Sequence, residues 1–458
     1  MKNNYTDAYS LGYNTNTNLA ITGGNDRTVF YTSLSYKKAT GTLPRNSFER
    51  FALLTKASQK ISDKVKVEAS ISFANSVPKN PQPNIGDYFS QGIFGRMYDT
   101  KQYMKDYKGL HGGLPSTSYN DPNGYNPGTD LWFSIYENSN EQKETNVRPT
   151  LSLDAELLNW LKFKVEGNYN YYYTRGEGKY LGTGYANDGG AYSIRQYTKE
   201  QANLYATFMM NKTFGDWTVG GFLRGEFFDT KSQILSASTI EGLITPGQYF
   251  LKNGKKGIAT SGGPGETKRM MSVAFQASAS WRNQIYVDVT GRNDWSSALV
   301  YADQTGNFSY FYPSVNGSWI ITESLKLPEW VSFAKVRASW AQVGNDTEPY
   351  KINQGYTNNT WLKDDYFYGL TISSLGLQPN IKPERKNAWE VGLDWRFFSN
   401  RLNLDATYYK ENTKNQIMEV SVPFVSGVDK MLINAGNIQN SGVEISLNTI
   451  PIKTKDWE

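Results

Sequence analysis

Cysteine is absent from the chain and histidine occurs once, as His111. The first absence removes disulfides, thiol nucleophiles and zinc-cysteine sites; the second makes a zinc centre or a histidine-based triad improbable. No run approaches the roughly 20 consecutive apolar residues that a membrane-spanning helix needs. Charge of one sign is not in excess either. The net charge is +5 over 458 residues, no basic run stands out, and a nucleic-acid partner is not expected. The first residues, MKNNYTDAYSLGYNTNTN, lack the apolar core of a signal peptide, and the last, TIPIKTKDWE, look like the turn before a further strand. Both ends read as cuts through a longer chain.

What the sequence does have is aromatic side chains and alternation. Aromatics make up 14% of residues, with 32 Tyr and 12 Trp, while all apolar residues together reach 38%. Mean hydropathy is −0.58. A barrel in a lipid bilayer needs apolar groups on only one face of each strand, so it can be this hydrophilic. Residues 387–411 give the pattern: Trp389, Val391, Leu393, Trp395 and Phe397 alternate with Glu390, Gly392, Asp394 and Arg396. After a turn at Ser399 and Asn400, Leu402, Leu404, Ala406 and Tyr408 alternate with Asn403, Asp405, Thr407 and Tyr409. Successive strand side chains point to opposite faces, so each strand has one greasy and one wet face.

About fifteen such strands are expected. In the first half they are 17–23, 27–38, 48–60, 63–75, 144–157, 160–174, 198–214 and 216–235. In the second half they are 268–282, 284–294, 313–322, 331–344, 387–398, 400–411 and 436–449. Tight turns at 23–26, 62–63, 159, 215–216, 283–284 and 399–400 take turns with long connections at 39–47, 76–143, 175–197, 236–267, 295–312, 345–386 and 412–435. In an up-and-down sheet this gathers the long loops at one end. Short turns on one side, long loops on the other and strands long enough to span the bilayer together predict an all-β, antiparallel, up-and-down transmembrane β-barrel.

Within the loops, 76–143 begins with the Pro-rich PKNPQPN, continues through a possible short helix near 87–107, and ends in DPNGYNPGTDLWF. Asp121, Asn123 and Asp130 have oxygen ligands spaced somewhat like a calcium loop, but turn-forming Asx and Gly residues explain them more simply. The carboxylate pairs Asp364 with Asp365 and Glu141 with Glu144 lack a supporting ligand pattern and read as solvated loop charges. Tyr125, Trp132, Trp361, Tyr366 and Tyr368 are the substrate-binding candidates, because flat amphipathic rings stack on sugars and peptide side chains; packing of loop on loop is the alternative for each. Tyr171, Tyr173, Trp281, Trp389 and Trp395 are assigned to aromatic girdles. Lys335, Arg337, Arg224 and Glu226 are assigned to the polar, lumen-side face.

Several segments resemble those of SusC/RagA-type TonB-dependent outer-membrane transporters of Bacteroidota. The segment LAITGGNDRTVFYTSLSYKKATGTLPRNSFERF is similar to the start of that family's barrel. YVDVTGRNDWSSAL and FYPSVNGSWIITE follow, then FAKVRASWAQVGN, with Ala341 where the family usually has Gly. KPERKNAWEVGLDWRFFSNRLNLDATYYKENTKNQI and NAGNIQNSGVEISL complete the set in the family's order. The resemblance implies a bacterial outer-membrane location and a barrel of about 22 strands, of which this chain would supply about fifteen. It further implies an N-terminal plug that contacts the TonB complex, a SusD-like surface lipoprotein as lid, and uptake of oligosaccharides or peptides. Plug and last strands would lie outside residues 1–458, and neither enzyme activity, a metal nor a cofactor is expected. Two rivals fit less well: a non-transporting surface glycan-binding β protein would show a repeat of about 40 to 50 residues or a second apolar face in each strand, and the sequence has neither; an outer-membrane lipase or protease would need a nucleophile and base at the strand ends, whereas His111 falls in a long connection with no Ser-centred motif around it.

Overall fold

The computed structural model describes residues 4–80, 98–108, 127–182, 189–353, 355–361 and 367–451, with the backbone alone at 127–130, 356–361 and 367–372. Its main feature is a single 16-stranded sheet. Strands run in chain order: β1 (Tyr13–Gly24), β2 (Thr28–Thr40), β3 (Ser47–Ser62), β4 (Val65–Lys79), β5 (Ser139–Leu158), β6 (Leu161–Tyr180), β7 (Ala191–Phe214), β8 (Trp217–Thr239), β9 (Ile258–Trp281), β10 (Ile285–Ser296), β11 (Ser309–Ile320) and β12 (Val331–Asn345). A short hairpin, β13 (Tyr356–Trp361) with β14 (Phe367–Ile372), forms a separate sheet, and β15 is Leu375–Leu377. The large sheet resumes with β16 (Glu384–Phe397), β17 (Leu402–Ser421) and β18 (Lys430–Thr449). Every pairing is antiparallel except that of β15 with β18, which is parallel through Leu375 to Lys430 and Leu377 to Leu432.

Each predicted strand is present, most of them extended at the long-loop end. The largest extension is β9, whose first ten residues, IATSGGPGET, carry no alternation and fall in the connection expected over 236–267. Ladder bonds to β8 hold them instead, with a register shift between Lys231 and Gln233. Pro264 fits just beyond that shift because β10 pairs with β9 no further than Met270, leaving this stretch an edge. β15 was missed because three residues are too few to show a period. At 24 residues, β7 and β9 are about twice what a tilted strand needs to cross the hydrocarbon, so their loop-end halves stand clear of it.

The register makes the two faces continuous. One apolar row passes through Leu34, Leu53, Phe73, Val147 and Tyr171, each directly opposite the next. Another passes through Val315, Trp340 and Trp389, and a third through Ala338, Val391, Tyr408 and Val443. These side chains point out of the sheet and form no compact core; Trp389 and Val391 are 60% and 59% exposed. In water such a surface would be far larger than a monomer tolerates. In a bilayer it is the solvated face.

Aromatics border the band. At the turn end Trp217 lies opposite Trp281, and the Trp330 ring is 5.6 Å from that of Phe397. Trp395 belongs to this row, 6.0 Å from Phe397, whereas Tyr171, Tyr173 and Trp389 lie towards the loops. The Arg282 guanidinium sits 4.9 Å over Trp281, and Lys212 is 4.9 Å over Phe214, both reaching past the rings towards the turn-side headgroups. Two of the turn residues after Trp281, Arg282 and Asn283, have positive φ, as a tight hairpin turn requires.

Among the described residues the compact cores lie at the loop end of the sheet. One gathers Ala8, Leu43, Tyr98, Leu131, Trp132 and Ile135, and the other Leu299, Tyr310, Ile352, Ile381 and Leu432.

Candidate functional site

On the face opposite the apolar band, polar and charged residues alternate into the same ladders. Lys56 and Lys66 both reach Glu68, at 2.7 and 3.3 Å, and Lys164 meets Glu166 at 3.0 Å. Arg224 contacts Glu226 at 2.9 Å while its guanidinium lies 4.3 Å over the Tyr205 ring. Arg337 makes a forked bond to Asp405 at 2.9 and 3.0 Å and donates to Thr407 Oγ1 at 2.6 Å. Gly392 lies directly opposite Arg337; a Cβ there would come within 2.7 Å of its Nε, so the glycine makes room for the guanidinium to lie along the wall. Lys335 pairs in register with Asp394. All four residues assigned to the polar face are therefore on it.

The segment Arg292 to Ser297 locks this wall to the loops. Arg292 Nε donates to Asp294 at 2.7 Å, and its Nη2 both donates to Ser272 at 2.8 Å and lies 2.8 Å from Glu226, which joins β8, β9 and β10. Tyr312 of β11 donates its hydroxyl to the second oxygen of the buried Asp294. Ser296 Oγ donates to Asp346, whose carboxylate also takes Lys268 at 2.8 Å, and accepts from the Ala298 amide, capping the short turn of helix Ser297–Leu299. This latch was legible only as a family motif, since no period or spacing connects Arg292 with Glu226 or Ser296 with Asp346.

The loop crown holds the candidate solute residues. Helix α1 (Thr100–Lys105) overlaps the expected helix near 87–107, and 81–97 lie outside the described residues. Helix α2 (Pro127–Glu137) replaces the turn expected there; Pro127 opens it at the first position, where a missing N–H costs nothing. Trp132 on α2 is fully buried, and its Nε1 donates to Tyr98 Oη at 3.2 Å. A ring with no free face cannot stack on a solute, so Trp132 is a core residue of the loop, the alternative weighed for it above. Tyr125, Tyr366, His111, Asp121, Asn123, Asp364 and Asp365 lie outside the described residues. Trp361 and Tyr368 are in the β13–β14 hairpin, Trp361 opposite Phe367 and Tyr368 opposite Thr360, one register step apart. Glu141 and Glu144 fall on opposite faces of β5, Glu141 near Lys79 and Glu144 accepting from Gln142, so they do not form a carboxylate pair.

At the foot of α2, Tyr107 donates to Glu137 at 2.7 Å and Lys108 sits 2.8 Å from the same carboxylate. Burial, followed by the bond to Glu137, pushes the Tyr107 phenol up to about 12. Burial opposes ionisation of Glu137, but the hydrogen bonds and charges of Lys108 and Tyr107 outweigh it and hold the carboxyl below its ordinary value. Among the described residues no group of three or more His, Asp or Glu side chains could hold a metal ion.

A sheet with a dry outer face, aromatic borders, a wet inner face and its longest connections at one end defines an outer-membrane β-barrel. Residues 84–458 match the family model described as TonB dependent receptor-like, beta-barrel, and the chain belongs to that family. It is 24% identical over 456 residues to TonB-dependent receptor P26 of Formosa agariphila, covering 96% of this chain and 44% of the relative. It is 28% identical to TonB-dependent receptor SusC of Bacteroides thetaiotaomicron over 38% of this chain and 18% of that protein. The RagAB peptide importer in its open-open state superposes with a TM-score of 0.78 at 20% identity, covering 99% of this chain and 50% of the solved one. The siderophore receptor PiuA of Acinetobacter baumannii gives 0.55 at 13%, covering 96% of this chain and 61% of that receptor. The SusC/RagA-type resemblance and the outer-membrane location both hold. The chain spans less than half the length of the curated relatives P26 and SusC.

Proposed function

We propose that this chain is the greater part of the barrel wall of an importer that moves bulky solutes, oligosaccharides or peptides, across the outer membrane. The observation that carries the reading is the division of the sheet into a continuous apolar face and an opposite face of mutually neutralised charges. Paired cations and anions along a lumen keep the wall wet without presenting a deep trap to a passing solute. The likeness to the RagAB peptide importer keeps peptides among the candidate solutes, and the SusC/RagA-type resemblance adds oligosaccharides. In the full-length receptor, a plug would occupy the lumen and couple to the TonB complex, and a SusD-like lipoprotein would close on the loop crown, with Tyr125, Trp361, Tyr366 and Tyr368 as its solute-facing aromatics. The edge of β1, and that of β18 beyond its short pairing with β15, would be joined by further strands of the same receptor, completing a barrel of about 22 strands.

The test is uptake. Cells carrying the full-length receptor are offered labelled oligosaccharides and labelled peptides, with and without a functional TonB. Accumulation of either class that stops when TonB is removed supports the proposal. Solute that binds the cell surface equally in both strains and never enters would overturn it in favour of a surface-binding protein.

A further inference from the structure

A second patch on the barrel, outside the lumen, has the makings of a ligand site. Above the apolar band, outer-face cations elsewhere meet carboxylates: Lys38 lies opposite Glu49, Lys79 opposite Glu141 and Arg269 opposite Asp229, each within 4 Å, and Lys143, which faces Arg175 across β5 and β6, is 3.8 Å from Glu141. On β16 and β17 the pattern breaks. Arg385 lies directly opposite Lys414, and two outward-facing positions nearer the turn that joins the strands Trp389 lies opposite Lys410. Arg385, Lys410 and Lys414 are exposed, as is the neighbouring Lys382, and none of the four has an ion-pair partner among the described residues. The one acidic side chain next to Arg385 in sequence, Glu384, accepts from the Ile417 amide at 2.9 Å and from Asn345 at 3.3 Å. Like charges directly opposite each other on a strand pair are destabilising. A cation pair kept free of carboxylates is therefore explained by an anion that comes from outside the chain.

The position identifies its source. The β11–β12 ladder stops at Ser314 and Ala341, while β10–β11 and β12–β16 continue towards the loops, to Ser309 and Asn345. The strands part there and leave a groove of about 640 Å³ whose lining includes Phe311, Pro313, Gln342, Lys382, Arg385 and Asn415. Trp389 and the half-buried Trp340, rings 6.0 Å apart, mark the upper border of the lipid band just below it. A groove with a cationic rim, polar amides and an apolar floor, at the depth of the headgroups on the loop side, suits an amphiphile with a phosphorylated sugar head. We infer that the loop-side end of β11, β12, β16 and β17 binds the phosphate-bearing headgroup of an outer-leaflet glycolipid, with Arg385 and Lys414 bridged by one phosphate. The inference rests on the outer-membrane location and not on solute import, so uptake and this site fail separately.

The experiment uses the full-length receptor in detergent, with native mass spectrometry after addition of lipid A, of the same lipid stripped of its phosphates, or of inorganic phosphate as competitor. The wild type is expected to retain one lipid A and not the dephosphorylated lipid. Arg385→Gln with Lys414→Gln should weaken retention roughly 30-fold, since each cation near an anionic surface contributes about a factor of five. Lys79→Gln with Arg269→Gln, which neutralises two paired cations elsewhere on the outer face, should retain lipid A as the wild type does. Unchanged heat-modifiable mobility on gels confirms that each variant is folded. Equal retention by all three proteins, equal retention of the dephosphorylated lipid, or full displacement by millimolar inorganic phosphate would overturn the inference. So would a double variant that keeps its lipid but loses a co-purifying lipoprotein, which would make the patch a protein interface.

Discussion

An arginine placed on the apolar face of β16 should destabilise the barrel by an amount set by its depth. Trp389 and Phe397 mark the two aromatic borders on this strand, and Leu393 lies halfway between them, opposite Val336 and Ala406. Val391 is one outward-facing position nearer the loop-side border, between Ala338 and Tyr408. An arginine at the midplane of a barrel's lipid face costs about 2–4 kcal/mol and falls to about 0–1 near the headgroups. Leu393→Arg is therefore expected to cost about 3 kcal/mol, a shift of roughly 150-fold in the folding equilibrium, and Val391→Arg about half as much. Tyr409→Arg provides the contrast: it is next to Tyr408 on β17 but faces inward, opposite Glu390, and should be within about 0.5 kcal/mol of the wild type. The assay is urea unfolding of the full-length receptor in lipid vesicles, followed by tryptophan fluorescence and by loss of heat-modifiable mobility. Equal costs at Leu393 and Tyr409, or no gradient between Leu393 and Val391, would refute the assignment of faces.

Other outcomes follow from the inner wall and the crown. Arg337→Lys loses the fork to Asp405 and should cost about 1 kcal/mol at most, because both partners are partly exposed, with solute uptake intact. Trp132→Ala removes the centre of a loop core and should cost about 3–5 kcal/mol locally; protease should then cut between residues 98 and 137 while the barrel stays folded. Glu137 has a depressed carboxyl, so its contribution is present above the ordinary glutamate value and is lost as pH falls through the lower folded one. Fluorescence of the buried Trp132, measured in a full-length receptor with the other tryptophans replaced, should hold steady at neutral pH and change only in that acidic window. In Glu137→Gln the acid transition should vanish.

The barrel was legible because its physics is periodic. Val391, Leu393 and Trp395 declare a face by spacing alone, and the alternation of connection lengths gives the sidedness without any packing information. The upper half of β9 was not legible, since Gly262, Gly263 and Pro264 follow no period and their strand exists only through bonds to β8. Nor was the burial of Trp132 legible: an aromatic in a Gly- and Pro-rich stretch looks available to a ligand until Tyr98, Leu131 and Ile135 are seen around it. The Arg292 latch and the unpaired Arg385 and Lys414 depend on which strand lies beside which, a relation between distant segments that one-dimensional patterning does not hold.

The sidedness of the sheet is directly measurable, because this chain has no cysteine. Single cysteines are placed at Phe424, in the long connection between β17 and β18, and at Asn400, in the turn between β16 and β17, within a full-length receptor that has no other accessible cysteine. Intact cells are then treated with a maleimide that cannot cross the outer membrane. Labelling is expected at position 424 in intact cells and at position 400 only after the membrane is opened. Labelling of both in intact cells, or of position 400 alone, would contradict that sidedness.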